Sequence, residues 1–192
     1  MKIIHTPAGV LHQTALPVEK VDKKVKELLI EMAKTLNRQK DPEGVGLAAP
    51  QVGVSKQIFL IKPRADSTPQ AFINPKILGT AYNVPRNTKR KSDPKRKTLD
   101  MERDIKKKER VQLEGCLSIP KIWGEVKRPD KVKIKWLDES GREHTEWFEG
   151  FPAVVIQHEM DHLHGILFTK HVIEQKNPLY REENGELVEF EI

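Results

Sequence analysis

The stretch His158-Glu159-Met160-Asp161-His162 sets two imidazoles four residues apart, with a glutamate between them. At about 3.6 residues per turn, His158 and His162 are offset by only about 40° on a helix and can share one metal ion. Glu159 lies about 100° round from His158, too far for a third ligand but placed to reach a water molecule beside the ion. A polar surface helix is the alternative reading. The apolar residues 154–156 lead directly into the motif, however, and predict a buried helix whose histidines and carboxylates need partners.

The third ligand indicates the class of site, because a catalytic metal usually keeps three protein ligands and one open position. In the pattern H-E-x-x-H-x-x-G-x-x-H, Gly165 matches the glycine but Phe168 replaces the last histidine, which excludes that peptidase class. A zinc endopeptidase would need a downstream glutamate. Glu182 and Glu183 lie at a suitable distance, although the residues around them are typical of a polar turn. The remaining soft ligand is Cys116, and a lone cysteine is more often a small buried hydrophobe.

The helix that carries the motif is expected to begin at Gly150-Phe151-Pro152, with the proline in its first turn, and to continue to about His164. A second, amphipathic helix is predicted before it, because apolar residues recur at spacings of three and four from Val21 to Leu36. This N-terminal helix would run for about five turns and stop at the breaker Asp41-Pro42.

Alternating or continuous apolar runs predict strands at residues 57–62, 71–78, 111–118, 131–137, 142–148 and 187–192. Pro75 indicates an edge position or a bulge in the second of these. The fourth and fifth should form a hairpin, and the last would end the chain in a strand. The predicted fold class is therefore α+β, with mostly antiparallel strands packed around a central metal-binding helix.

The composition favours a soluble, cytoplasmic protein. Its 192 residues suffice for one domain with its own core, and its single cysteine excludes an internal disulfide and suits a reducing compartment. The N-terminus has no apolar stretch of the kind found in signal peptides. The longest apolar run, at residues 151–156, is too short to cross a bilayer, so no membrane partner is expected.

The formal net charge of +6 is concentrated in one segment. Residues 86–110 contain 12 Lys or Arg against 5 Asp or Glu, whereas the rest of the chain has 22 against 23. The residues from Thr80 to Lys108 also contain few apolar side chains. They predict a basic, solvated and mobile insertion at about residues 80–110 within a single catalytic domain spanning residues 1–192.

Three segments together resemble the peptide deformylases. They are Gly44-Val45-Gly46-Leu47-Ala48-Ala49-Pro50-Gln51-Val52-Gly53, Glu114-Gly115-Cys116-Leu117-Ser118 and Gln157-His158-Glu159-Met160-Asp161-His162. The likeness extends from about Ile3 to Phe168, and the basic insertion is its main departure. It implies a metal-dependent hydrolase that removes the N-terminal formyl group from the formyl-methionine of nascent polypeptides and releases formate.

Carried over position by position, the resemblance implies that Cys116, His158 and His162 hold the metal and that Glu159 is the general base and acid. It also implies that the Gln51 side chain and the Leu117 backbone N–H form an oxyanion site. The family's cellular ion is Fe²⁺, which Zn²⁺, Ni²⁺ or Co²⁺ can replace. Two imidazoles and a thiolate suit several of these ions, so the sequence does not distinguish among them.

The substrate's methionine side chain requires an apolar slot. By family position its walls would be Val45, Phe151, Val154 and Val155, while Gly46 would let the backbone approach the substrate closely. The same valines and phenylalanine could equally belong to an ordinary core.

Formyl-methionyl nascent peptides are the expected substrate, and the ribosome is an expected partner through the basic insertion, whose Lys and Arg could contact RNA phosphates. The insertion could also be a solvated loop without a partner. It lacks aromatic residues other than Tyr82 at its start, and nothing indicates specific DNA binding. Two rival functions remain open at this point: a zinc endopeptidase that uses Glu182 or Glu183, and a basic RNA-binding protein whose metal site is structural.

Overall fold

A computed structural model of the chain describes residues 1–64, 66–82 and 111–190, and it contains two antiparallel sheets and three α-helices in that part. The helices are α1 (Lys23–Arg38), α2 (Phe151–Leu163) and α3 (Phe168–Gln175). The strands are β1 (Gly46–Ala48), β2 (Ile58–Ile61), β3 (Gln70–Ala81), β4 (Val111–Cys116), β5 (Ile119–Lys127), β6 (Lys131–Leu137), β7 (Glu143–Glu149), β8 (Leu179–Glu183) and β9 (Glu186–Phe190). The α+β fold class predicted from the sequence is confirmed.

The first sheet has the strand order β1-β2-β3-β6-β7, and each neighbouring pair is antiparallel. One face of this sheet packs on α2. Alternate strand residues, among them Phe72, Ile134 and Trp136, form a core cluster with Val155 and Ile156 of the helix. The rings of Phe72 and Trp136 lie 4.7 Å apart in this cluster. The apolar periodicity of the strands therefore positions the motif-bearing helix.

The opposite face of the first sheet is partly covered by α1. Leu29, Met32 and Leu36 of α1 pack in a second core cluster with residues of β1, β2 and the start of β3. The helix begins at Lys23, two residues after the first apolar residue of the predicted spacing, because the Asp22 side chain accepts the backbone N–H of Val25 at 3.0 Å and caps the helix.

Helix α2 is buried on most sides, which agrees with the expectation for the helix at residues 150–164. Nine of its 13 residues are buried, including Glu159 and His162. Pro152 lies in the first turn, where its missing N–H costs no hydrogen bond. Gly150 precedes the helix with a φ of 67°, a conformation that favours glycine.

The second sheet has the order β4-β5-β8-β9 and packs against α3. Gly124 of β5 allows this close approach, because a Cβ there would lie 2.5 Å from Val172 of α3. Strands β1, β5 and β8 and helix α3 were not predicted from the sequence. The polar turn predicted around Glu182 and Glu183 is shorter than expected. Only Asn184 and Gly185 form the turn, and the residues on either side of it belong to β8 and β9.

Pro75 marks a bulge rather than an edge. The register between β3 and β6 shifts between Ile73 and Lys76, and β3 lies inside the sheet with β2 on its other side. Thr80 and Ala81, placed at the start of the predicted insertion, belong to β3 and pair with β6. The remainder of the insertion, from residue 83, lies outside the described residues. Among those that are described, no helix has the length and apolarity needed to cross a membrane.

Candidate active site

The end of β4 meets one face of α2 at a cluster of three ligand-type side chains. The ligand atoms of Cys116, His158 and His162 all lie within 4.8 Å of one another. Cys116 Sγ is 3.2 Å from His162 Nε2. Cys116 and His162 are buried, and the His158 side chain is 11% exposed. The structure therefore brings together the three residues for which the resemblance implies metal binding.

The Cys116 side chain is placed to act as a thiolate. Burial would raise the pKa of this thiol, but the charge of His162 and hydrogen bonds with both imidazoles outweigh burial and lower the pKa well below its usual value. A thiolate is the form of cysteine that binds metals. This arrangement favours metal binding over the alternative that Cys116 is only a small buried hydrophobe.

His158 is oriented by a carboxylate on β4. Its Nδ1 lies 2.9 Å from Glu114 Oε2, so Nδ1–H can donate to Glu114 and leave Nε2 for a metal ion. Burial would raise the pKa of Glu114, but hydrogen bonds from His158 and Arg128 lower it to about 2. Glu114 is therefore ionised at neutral pH and can hold the imidazole in one tautomer. His162 Nδ1, in contrast, is buried without a hydrogen-bond partner among the described residues.

Arg128 joins Glu114 to α2. Its guanidinium donates through two nitrogens to Glu114 and through Nη1 to Asp161 Oδ2 at 2.9 Å. Asp161 also lies 2.9 Å from His171 Nε2. Asp161 is thus linked to His158 through Arg128 and Glu114. Sequence reasoning missed Arg128, because its neighbours carry no motif.

Glu159 faces the ligand cluster as a buried carboxylate. Its side-chain atom Oε2 has no hydrogen-bond partner among the described residues, and the residue is 3% exposed. Burial raises the pKa of Glu159 to about 7. Gly46 makes room for this group, because a Cβ at position 46 would lie 2.2 Å from Glu159 Oε1.

These donors fit a divalent metal ion. Imidazole nitrogens and a thiolate are accepted ligands of Zn²⁺ and Fe²⁺. A buried carboxylate oxygen without a partner is costly unless something polar meets it, and a water molecule next to the ion would do so. The ligand cluster could thus hold the metal ion of a hydrolase, and the partnerless oxygen of Glu159 could contact the water molecule beside that ion.

Gln51 lies on the other side of Cys116, in a single turn of 3₁₀ helix at Ala49–Val52. Its Oε1 accepts the backbone N–H of Ala48 at 2.8 Å, which fixes the direction of the amide. Its Nε2 donates to Cys116 Sγ at 3.4 Å and to Ser118 Oγ at 3.3 Å. The amide donor therefore points at the candidate metal centre.

A pocket of about 290 Å³ opens beside these groups. The pocket is lined by every residue for which the resemblance implied substrate contact, namely Val45, Gly46, Phe151, Val154 and Val155. Gln51, Leu117, Trp123 and Glu159 line it as well. Of the apolar residues, Val154 and Val155 are buried, while Phe151 is 46% exposed.

Trp123 forms part of the pocket wall because Gly115 lets the indole lie against β4. A Cβ at position 115 would lie 2.7 Å from the ring.

The endopeptidase alternative is excluded because Glu182 and Glu183 do not belong to the ligand cluster. Glu182 accepts a hydrogen bond from Trp123 Nε1 at 3.3 Å within the second sheet, and the ligand cluster contains neither Glu182 nor Glu183. Of the other histidines, His144 lies 2.8 Å from Asp138, and His164 Nδ1 lies 2.7 Å from the carbonyl oxygen of Met160. Neither histidine belongs to the ligand cluster.

Comparison with known proteins identifies the family. A family model described as polypeptide deformylase matches residues 1–178. The chain is 34% identical over 185 residues to a peptide deformylase of Rhizorhabdus wittichii, covering 92% of this chain and 89% of the relative. It is 38% identical over 173 residues to peptide deformylase 1 of Burkholderia multivorans, covering 90% of this chain and 80% of the relative.

Solved structures agree with the sequence comparison. A peptide deformylase from Synechococcus elongatus in complex with actinonin superposes with a TM-score of 0.71 at 33% identity, covering 90% of this chain and 78% of the other. The Thermotoga maritima enzyme gives a TM-score of 0.70 at 33% identity, covering 89% and 96%. The chain therefore belongs to the peptide deformylase family, the metal-dependent hydrolases that remove the N-terminal formyl group from nascent peptides.

Proposed function

We propose that this enzyme deformylates formyl-methionyl nascent peptides with one divalent ion held by Cys116, His158 and His162. The ion in the cell is Fe²⁺, as the family resemblance implies, and Zn²⁺, Ni²⁺ or Co²⁺ can replace it in a sulfur and nitrogen site of this kind. The observation that carries the proposal is the buried, partnerless Oε2 of Glu159 beside that ligand cluster.

Glu159 moves the proton. A divalent ion in this position supplies Lewis acidity, which makes water nucleophilic near neutral pH and polarises a carbonyl group. Glu159 accepts a proton from the attacking water through its free oxygen and returns it to the leaving amine nitrogen. A general acid–base of this kind contributes about 10²–10⁴-fold to the rate. Gly46 leaves room for the carboxylate, because a side chain at that position would displace it.

Gln51 and Leu117 stabilise the charge that develops. As the formyl carbon becomes tetrahedral, negative charge grows on its oxygen, and hydrogen-bond donors aimed at that oxygen lower the barrier. The Gln51 amide is held by Ala48 with its NH₂ toward the site, and Leu117 follows Cys116 on the pocket wall. One donor of this type is worth about 3 kcal/mol.

The pocket receives the methionine side chain. Val45, Phe151, Val154 and Val155 form its apolar walls, and the pocket's volume of about 290 Å³ suits one side chain with its backbone. Gly46 lets the chain of the substrate approach the main chain of β1. Apolar walls with a few converging polar groups are the usual composition of such a site.

Residues 1–192 act as one catalytic domain, and the basic segment at about residues 80–110 directs it to ribosomal RNA in the cytoplasm, where the substrate emerges. The support for this placement is the concentration of 12 Lys or Arg against 5 Asp or Glu in residues 86–110. Contacts between such side chains and phosphates are sequence-independent and sensitive to salt.

The test is release of formate from formyl-Met-Ala-Ser by the protein loaded anaerobically with Fe²⁺ or Ni²⁺. Oxygen is excluded because a thiolate on iron is easily oxidised. We expect turnover with either ion and its loss when a chelator strips the metal. Replacing Cys116→Ala should abolish tight metal binding and turnover together. Formate release that survives chelation, or metal content that survives Cys116→Ala, would overturn the proposal.

A further inference from the structure

The first sheet leaves part of one face uncovered. Odd-numbered residues of β6 point away from α2: Leu137 packs in the cluster formed with α1, and beyond it the same face continues with Lys135, Lys133 and Lys131. The even-numbered residues between them lie in the core against α2. The α2 side of the sheet faces the catalytic groups, so this lysine face lies on the opposite side from the pocket.

An exposed tryptophan lies in the middle of this face. Trp147 of β7 is the cross-strand partner of Lys133, which in turn pairs with Gly79 of β3. The indole reaches across β6, because its Cη2 lies 3.9 Å from where a Cβ of Gly79 would stand. Trp147 nevertheless remains 53% exposed. A large flat ring therefore lies along the sheet with solvent above it.

The three lysines near the Trp147 ring differ in whether they form an ion pair. Lys131 pairs with Glu149 at 2.8 Å, and Lys135 pairs with Glu143 at 2.6 Å, on either side of the tryptophan. Lys133, the cross-strand partner of Trp147, forms no ion pair with a carboxylate in the described part of the chain.

We propose that this face, defined by Trp147, Lys133, Lys131 and Lys135, binds single-stranded RNA, with a base stacked on Trp147 and a phosphate at Lys133. Aromatic platforms flanked by cations are how proteins bind unpaired nucleic acid, because every base has a stacking face and every linkage a negative charge. The proposal deepens the ribosomal placement given above. It adds to the charge of the basic segment a surface in the described part of the chain and a stacking contact.

The test measures RNA binding and catalysis on the same full-length, Ni²⁺-loaded protein. The probe is a fluorescent single-stranded RNA of about 12 nucleotides, followed by anisotropy at about 50 mM and about 200 mM salt. Trp147→Ala should weaken binding by about tenfold at both salt concentrations, the size of one base–aromatic stack. Trp147→Phe should retain most of the affinity.

The contribution of the Lys133 charge is tested by a separate variant, because the Lys and Arg of residues 86–110 would also bind RNA in a salt-dependent way. Lys133→Gln should lower the slope of log affinity against log salt by about one phosphate contact. Lys170→Gln removes an equal charge from α3 and should leave the affinity and its slope unchanged. Each variant should release formate from formyl-Met-Ala-Ser at the parent rate, since the face lies across the sheet from the pocket.

A second measurement needs no variant. RNA should protect Trp147 of the parent enzyme from hydroxyl-radical oxidation, read by mass spectrometry. Unprotected Trp147, affinity that does not depend on its ring, or equal binding of a fluorescent polyglutamate peptide would each overturn the inference. Equal binding of the polyglutamate peptide would indicate that the face binds an acidic protein rather than RNA. These outcomes are distinct from failure of the proposed function, which would appear as loss of formate release by the parent enzyme.

Discussion

At the scale of single residues, Glu159 combines burial with a free acceptor atom. We predict that Glu159→Gln lowers the rate of formate release by at least about 100-fold, because an amide of the same shape cannot take up the proton. Metal content, measured by elemental analysis, should stay at the parent level, since Glu159 is not among the three ligand residues. Substantial turnover by the loaded variant would remove Glu159 from the proton-transfer step.

Gly46 gives a second prediction at this scale. In Gly46→Ala the new methyl group would lie 2.2 Å from Glu159 Oε1, so the carboxylate must move. We expect a large loss of turnover and a fall of about 1–3 kcal/mol in the free energy of unfolding. Gly79→Ala is the matched control, because it also adds a methyl group to a strand glycine but makes only an ordinary contact at 3.9 Å. Equal activity of the two variants would contradict this explanation.

At the scale of elements, a buried arginine connects β4 to α2. Arg128 is 7% exposed and bonds to Glu114 and Asp161. We predict that Arg128→Met lowers the free energy of unfolding by about 3–5 kcal/mol, because the buried Glu114 and the partly buried Asp161 lose their shared cation. Metal affinity should fall by about 10–100-fold as His158 loses its fixed orientation. Chemical denaturation and competitive chelation measure the two effects.

The control for this prediction is an ion pair on the surface. Lys34 bonds to Glu31 at 2.8 Å, but both side chains are about half exposed. Lys34→Met should change the free energy of unfolding by less than about 1 kcal/mol and leave metal affinity unchanged. If Arg128→Met had an equally small effect, the bridge between β4 and α2 would not be what holds Glu114 against His158.

At the scale of the whole molecule, catalysis and the basic segment should be separable. We predict that replacing residues 86–110 with a neutral segment of equal length leaves hydrolysis of formyl-Met-Ala-Ser intact, because the ligands, Glu159 and the pocket walls all lie outside that segment. Ribosome association at low salt, measured by co-sedimentation, should weaken because the phosphate contacts are lost. Unchanged co-sedimentation would remove the proposed role of the segment.

Several elements escaped sequence reasoning for identifiable physical reasons. Strand β5 mixes buried and exposed residues without clean alternation and contains Pro120 and Gly124, so no period of two stands out. Helix α3 has only eight residues, of which Phe168 and Val172 are buried, too few to establish a helical period. Strand β8 is rich in charged residues, a composition that predicts a polar turn rather than a strand.

The sequence by itself determined the features that depend on local spacing. A spacing of four residues from His158 to His162 puts both imidazoles on one side of any helix. The lysine alternation of β6 likewise separates the two faces of that strand wherever the strand lies. Three short segments sufficed to establish the resemblance to the family. These inferences needed no long-range contact, because the geometry of helices and strands relates neighbouring residues directly.

Only the tertiary structure decided which distant groups meet. Spacing along the chain left Cys116 and Glu182 both open as the third ligand, and packing of β4 against α2 placed the cysteine, 46 residues from His162, beside the two imidazoles. The same packing brought Arg128 to Glu114 and left one oxygen of Glu159 without a partner. The reason is that side-chain burial and pairing between remote segments depend on how whole elements pack, which no local period encodes.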